Sequence, residues 1–74
     1  MTFEKVKKIM KETLGLKEED ITMETDLIRD LRVDSLDVME LVMALEEEYG
    51  MTVADEELTS FSTVSSIVEY IDNH

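Results

Sequence analysis

Along the first fifteen residues the apolar positions Phe3, Val6, Ile9, Met10 and Leu14 recur at the spacing of one helical face, with lysine and glutamate between them. Thr2 stands where an N-cap belongs, and Gly15 follows the last apolar residue, where a left-handed C-cap is favoured, so a first helix is predicted between them. A second run opens at Asp34 or Ser35 as N-cap and continues through strong helix formers to Tyr49, where Gly50 stops it. Between the two helices lies a polar stretch from Lys17 to Val33, in which Ile21, Leu27, Ile28 and Leu31 are expected to fold back onto the core. Connections of this length tend to carry function. After Gly50, Met51-Thr52-Val53 reads as extended and Ala54 to Leu58 as a short acidic turn of helix. Ser62 or Thr63 then caps a last helix whose buried stripe is Val64, Ile67, Val68 and Ile71. The pattern predicts an all-α chain: a small four-helix bundle of three main helices and one short one, with a long loop between the first two.

The second helix has too many apolar residues for one face. At about 100° per residue, Val38, Leu41, Val42, Leu45 and Tyr49 fall in one sector and make the core stripe. Leu36, Met39 and Met43 lie nearly opposite, among Glu40, Glu46 and Glu47. An outward apolar strip ringed by carboxylates has the character of a docking surface, and methionine suits surfaces that repack against several partners. The plainer alternative is that these side chains pack under the long loop or are ordinary scattered surface groups.

Size and charge narrow the function. Seventy-four residues make one domain, 1–74, with a thin core and no room for a deep enzymatic cleft. Nineteen acids against seven basic residues give a formal charge of -12, which argues against nucleic acid and anionic membranes and for basic protein partners. The charge is polarised. Residues 1–17 carry five lysines and two glutamates, whereas the remainder carries two arginines, Arg29 and Arg32, against seventeen acids. No apolar run approaches the roughly 18 residues of a membrane span, and the start does not read as a signal peptide, so a soluble, cytoplasmic and monomeric protein is expected. There is no cysteine, hence no thiol of the chain's own.

Ser35, within Asp34-Ser35-Leu36-Asp37, is the candidate for chemistry. A helix N-terminus presents unpaired N–H groups and the positive end of the dipole, so a phosphate ester on this side chain would be stabilised there. Two other readings compete: a plain N-cap, and a catalytic nucleophile. The second is poorly supported, since Gly-x-Ser-x-Gly is absent and the only histidine, His74, is a terminal residue expected to fray.

The run Asp26-Leu27 through Asp30-Leu31-Arg32-Val33-Asp34-Ser35-Leu36-Asp37, followed by Glu40-Leu41-Val42-Met43-Ala44-Leu45-Glu46-Glu47-Glu48, resembles the acyl carrier proteins of bacterial fatty-acid synthesis. The likeness covers essentially the whole chain, including Asp55-Glu56-Glu57 and Thr63-Val64. It implies a non-catalytic carrier in which Ser35 receives 4′-phosphopantetheine from coenzyme A through a separate phosphopantetheinyl transferase. That arm would supply the missing thiol and carry acyl groups as thioesters. By the same resemblance Asp34 and Leu36 flank the modified serine, and Asp37, Met39, Glu40, Met43, Glu46 and Glu47 form the helix read by fatty-acid synthesis enzymes through basic docking patches. An acyl chain would shelter among Phe3, Val6, Leu41, Leu45, Ile67 and Ile71.

Three positions depart from the family pattern. Arg32 stands where glycine is frequent and brings a positive charge close to Ser35. Ala54 replaces a frequent proline, and Ser60-Phe61-Ser62 replaces a more basic and aliphatic stretch. These bear on the pathway, leaving carriers for polyketide or other secondary metabolism and for D-alanine transfer as alternatives within the class. Outside it stands an acidic structural subunit that binds basic partners. No EF-hand spacing is present, so the carboxylates are expected to hold Mg²⁺ or Ca²⁺ weakly, without a specific metal site.

Overall fold

Glycine in the left-handed region ends both longer helices. In the computed structural model, which describes residues 1–73, α1 spans Thr2–Leu14 and α2 spans Ser35–Tyr49. Gly15 follows the first with φ 68°, its N–H donating to the Lys11 carbonyl, and Gly50 follows the second with φ 61°, its N–H donating to that of Glu46. A third helix, α3, runs over Val64–Asp72, and two 3₁₀ segments, Glu18–Asp20 and Asp55–Ser60, interrupt the connections. The predicted all-α bundle is what the chain forms: three main helices and a short acidic one. The expectation for His74 lies outside the described residues.

One cap falls elsewhere than the sequence suggested. Thr2 is already helical, and Met1 precedes it without a side-chain cap. The Thr2 hydroxyl instead donates to the Asp72 carboxylate, tying the first turn of α1 to the last turn of α3. At α3 the choice between Ser62 and Thr63 falls on Thr63, whose Oγ1 accepts the Ser66 N–H at 3.3 Å while Ser66 Oγ accepts the Thr63 N–H at 3.2 Å.

The three helices share one core. α1 packs against both α2 and α3. Val6 and Met10, Leu41 and Leu45, and Val64 and Ile67 bring buried side chains from each of them, and Leu27 joins from the long loop. Each such side chain contributes about 1.5–3 kcal/mol through removal from water.

The long loop is held by its own polar chemistry. Thr25, buried, accepts the Thr22 N–H at 2.8 Å and donates to the Asp20 carbonyl at 3.2 Å. Two orphan N–H groups in the first turn of α3 find partners on this loop: Val64 donates to Thr25 and Ser65 to Met23, at 3.1 and 2.9 Å. Leu27 N–H donates to the Ser62 carbonyl at 2.9 Å. Ile21 and Leu27 are buried and Leu31 is half-buried, as expected, and Val33 is buried as well, but Ile28 is 64% exposed. The reason is the turn made by Asp26, whose Oδ1 accepts the N–H groups of Ile28 and Arg29 at 3.0 and 2.9 Å. That turn directs Leu27 inward and Ile28 to solvent.

Candidate functional site

Asp34 is the N-cap of α2, and Ser35 is its first helical residue. Asp34 Oδ1 accepts the Asp37 N–H at 2.9 Å, and Asp37 Oδ2 accepts the Asp34 N–H at 3.4 Å, closing a capping box built from two aspartates. Capping is therefore not the work of Ser35. Its side chain is exposed and makes no hydrogen bond to the described residues. The N–H groups of Ser35 and Leu36 have no partner within the helix, and the positive end of a fifteen-residue helix lies beneath them. A hydroxyl so placed can accept a bulky anionic substituent without losing any contact of the fold.

The approach to Ser35 includes a backbone position that glycine suits best. Arg32 has φ 55°, the only non-glycine residue in the left-handed region among those described. The conformation costs an ordinary residue about 1–2 kcal/mol relative to the right-handed one. It is held because Val33 beyond it is buried and donates its N–H to the Leu27 carbonyl at 3.0 Å. The guanidinium itself is exposed.

Beside Ser35 opens an apolar cavity of about 560 Å³. Asp34 and Ser35 stand on its rim, and Val33, Val38, Leu58 and Phe61 supply apolar wall. None of the six residues expected to shelter an acyl chain lines it. Val6, Leu41, Leu45 and Ile67 are buried in the core, and Phe3 and Ile71 pack half-buried at its margin. Nothing local in the sequence marked Phe61 as a wall, because it comes from a segment distant along the chain.

The outward strip of α2 is present. Leu36, Met39 and Met43 are 69, 50 and 64% exposed, and Ile28 adds a further exposed apolar group from the loop. Glu40 and Glu47 are exposed around it, and Asp37 is half-buried in the capping box. Glu46 is half-buried and differently engaged, with its Oε2 accepting the Val53 N–H at 2.7 Å and holding the extended segment after Gly50 against the helix. Toward the other end, Lys5 pairs with Glu48 at 3.2 Å and lies over the Tyr49 ring at 5.4 Å. Among the described residues, no group of three or more histidines, aspartates or glutamates is arranged to hold a metal ion, and no helix is long and apolar enough to cross a membrane.

The family model described as "Phosphopantetheine attachment site" matches residues 4–71. Two acyl carrier proteins of Clostridium perfringens, from strains SM101 and 13, are each 50% identical to this chain over 72 residues, covering 97% of it and 95% of their own length.

Proposed function

The chain belongs to the acyl carrier protein family, whose members are carriers rather than catalysts, and we propose that Ser35 Oγ is the atom to which its phosphopantetheine arm is joined. The observation that carries this reading is the free, exposed Ser35 hydroxyl on a helix end already capped by Asp34. When attached, 4′-phosphopantetheine supplies the terminal thiol that this cysteine-free chain lacks and holds acyl cargo as a thioester. The chain's own residues do the rest. The first-turn N–H groups of α2 and its dipole stabilise the negative charge beside Ser35. Asp34 fixes the direction in which Ser35 leaves the helix, and the cavity lined by Val38, Leu58 and Phe61 shields the apolar part of the cargo from water.

Address is the second task. The strip of Leu36, Met39 and Met43, with Glu40 and Glu47 around it, is the surface we assign to docking on basic patches of fatty-acid synthesis enzymes in the cytoplasm and on the phosphopantetheinyl transferase. An acidic rim speeds encounter and adds little lasting affinity, as a carrier visiting several enzymes requires. Mg²⁺ or Ca²⁺ is held diffusely, as counter-ions to the acidic surface. The reading of the protein as an acidic structural subunit loses its explanation of Ser35, since that reading needs the serine as the cap.

The test is intact mass before and after incubation with coenzyme A and a broad-specificity phosphopantetheinyl transferase. The wild-type chain should gain a single phosphopantetheine, and Ser35→Ala should gain none while keeping its melting temperature. Loading of the variant, or a folded wild-type chain that takes up nothing, would reject the assignment.

A further inference from the structure

We infer that the Phe61 ring is the stop that sets how long an acyl chain this protein can shelter, an inference that rests on the cavity beside Ser35 being the place of the cargo. Phe61 is both a wall of that cavity and a member of the buried core, only 5% exposed. Its ring meets Tyr70 of α3 edge to face, with centroids 5.4 Å apart and planes at 76°. Such a pair adds to the stabilisation that burial alone provides, so the ring resists displacement.

The backbone at Phe61 is equally constrained. Its N–H donates to the Leu58 carbonyl at 3.3 Å, and the carbonyl of the next residue, Ser62, accepts the Leu27 N–H at 2.9 Å. Ile28 and Met39 also line the cavity and are 64 and 50% exposed, so they give way more readily than Phe61. An acyl chain taken in from Ser35 therefore finds walls that yield at Ile28 and Met39 and a wall that resists at Phe61. Each methylene taken in favours the sheltered over the exposed state about fourfold, from ~0.8 kcal/mol per buried methylene. That gain ends where the next carbon must break the Phe61–Tyr70 contact or turn back to water.

The experiment is a ladder of straight-chain thioesters, from butyryl to dodecanoyl, on the pantetheine-loaded full-length protein, read as melting temperature against chain length. In the wild type the temperature should climb with each added pair of carbons and then level off. In Phe61→Leu the levelling should move to a chain about two carbons longer, because the smaller side chain deepens the cavity. Should that variant not fold, Phe61→Met, closer in volume and flexible, takes its place. Tyr70→Phe keeps the ring contact and should level where the wild type does. A Phe61 variant that levels at the wild-type length overturns the stop while leaving the sheltering cavity intact. A wild-type curve that is flat from butyryl onward overturns the cavity reading and the stop together.

Discussion

The two faces of α2 are built from the same kinds of residue and do opposite things. On one, Leu41, Val42 and Leu45 are 0, 5 and 3% exposed; on the other, Leu36, Met39 and Met43 are at least half exposed. Hydrophobicity cannot tell them apart. What separates them is their neighbours, since α1 packs on α2 and one face joins the shared core while carboxylates rim the other. An apolar residue left in water within a helix this well capped contributes little to the fold, which is why we propose a docking partner for this face.

That contrast can be broken most forcefully at Leu41. Leu41→Ala should lower unfolding free energy by about 2–5 kcal/mol, a large part of the stability of a chain this small, in a urea titration. Met43→Ala should change it by less than about 0.5 kcal/mol, yet weaken docking of the loaded protein on a fatty-acid transacylase by about 1 kcal/mol or more. If Met43→Ala destabilised as Leu41→Ala does, or left transfer untouched, the two faces would not have separate tasks.

A smaller effect is expected where the faces meet, at the amino end. Asp34→Ala should cost about 1 kcal/mol by removing the cap, whereas Ser35→Ala should be near neutral in the same titration. Equal losses would return the capping role to the serine.

The smallest effect lies on the core face at Tyr49. Its hydroxyl is buried without a hydrogen-bond partner, and desolvation pushes its pKa above the ordinary phenol value, against the opposing pull of Lys5. Above about pH 10 the unfolded chain gives up this proton while the folded chain retains it, so stability falls as pH rises. Tyr49→Phe should gain up to about 1 kcal/mol at neutral pH and remove this residue's share of the alkaline loss. A loss of stability at neutral pH would mean that the hydroxyl has a partner after all.

The helices were legible because their signals are local. Apolar spacing, Gly15 and Gly50 mark α1 and α2, and the strip of Leu36, Met39 and Met43 follows from angle alone. The exposure of Ile28 was not legible, because loop residues have no fixed period and only the Asp26 turn decides which side faces out. Glu46 reads as one more surface carboxylate, and its bond to Val53 depends on where the chain goes after the helix has ended. Arg32 conceals its left-handed backbone for the same reason, since the conformation is imposed by the anchoring of Val33 and Leu27 and not by the arginine. The cavity needs Val33 from the long loop, Val38 from α2, and Leu58 and Phe61 from the turn before α3, so it exists only once the chain has folded.

The capping box of Asp34 and Asp37 has a consequence for the carrier's working life. Because those two aspartates, and not the serine, close the end of α2, substituting the Ser35 hydroxyl removes no capping bond from the fold. Attaching and removing the arm then takes no contact from the folded state, so by linkage sheltered cargo can only add to stability, and a single folded molecule can be charged and discharged over many rounds without being worn toward denaturation by the traffic.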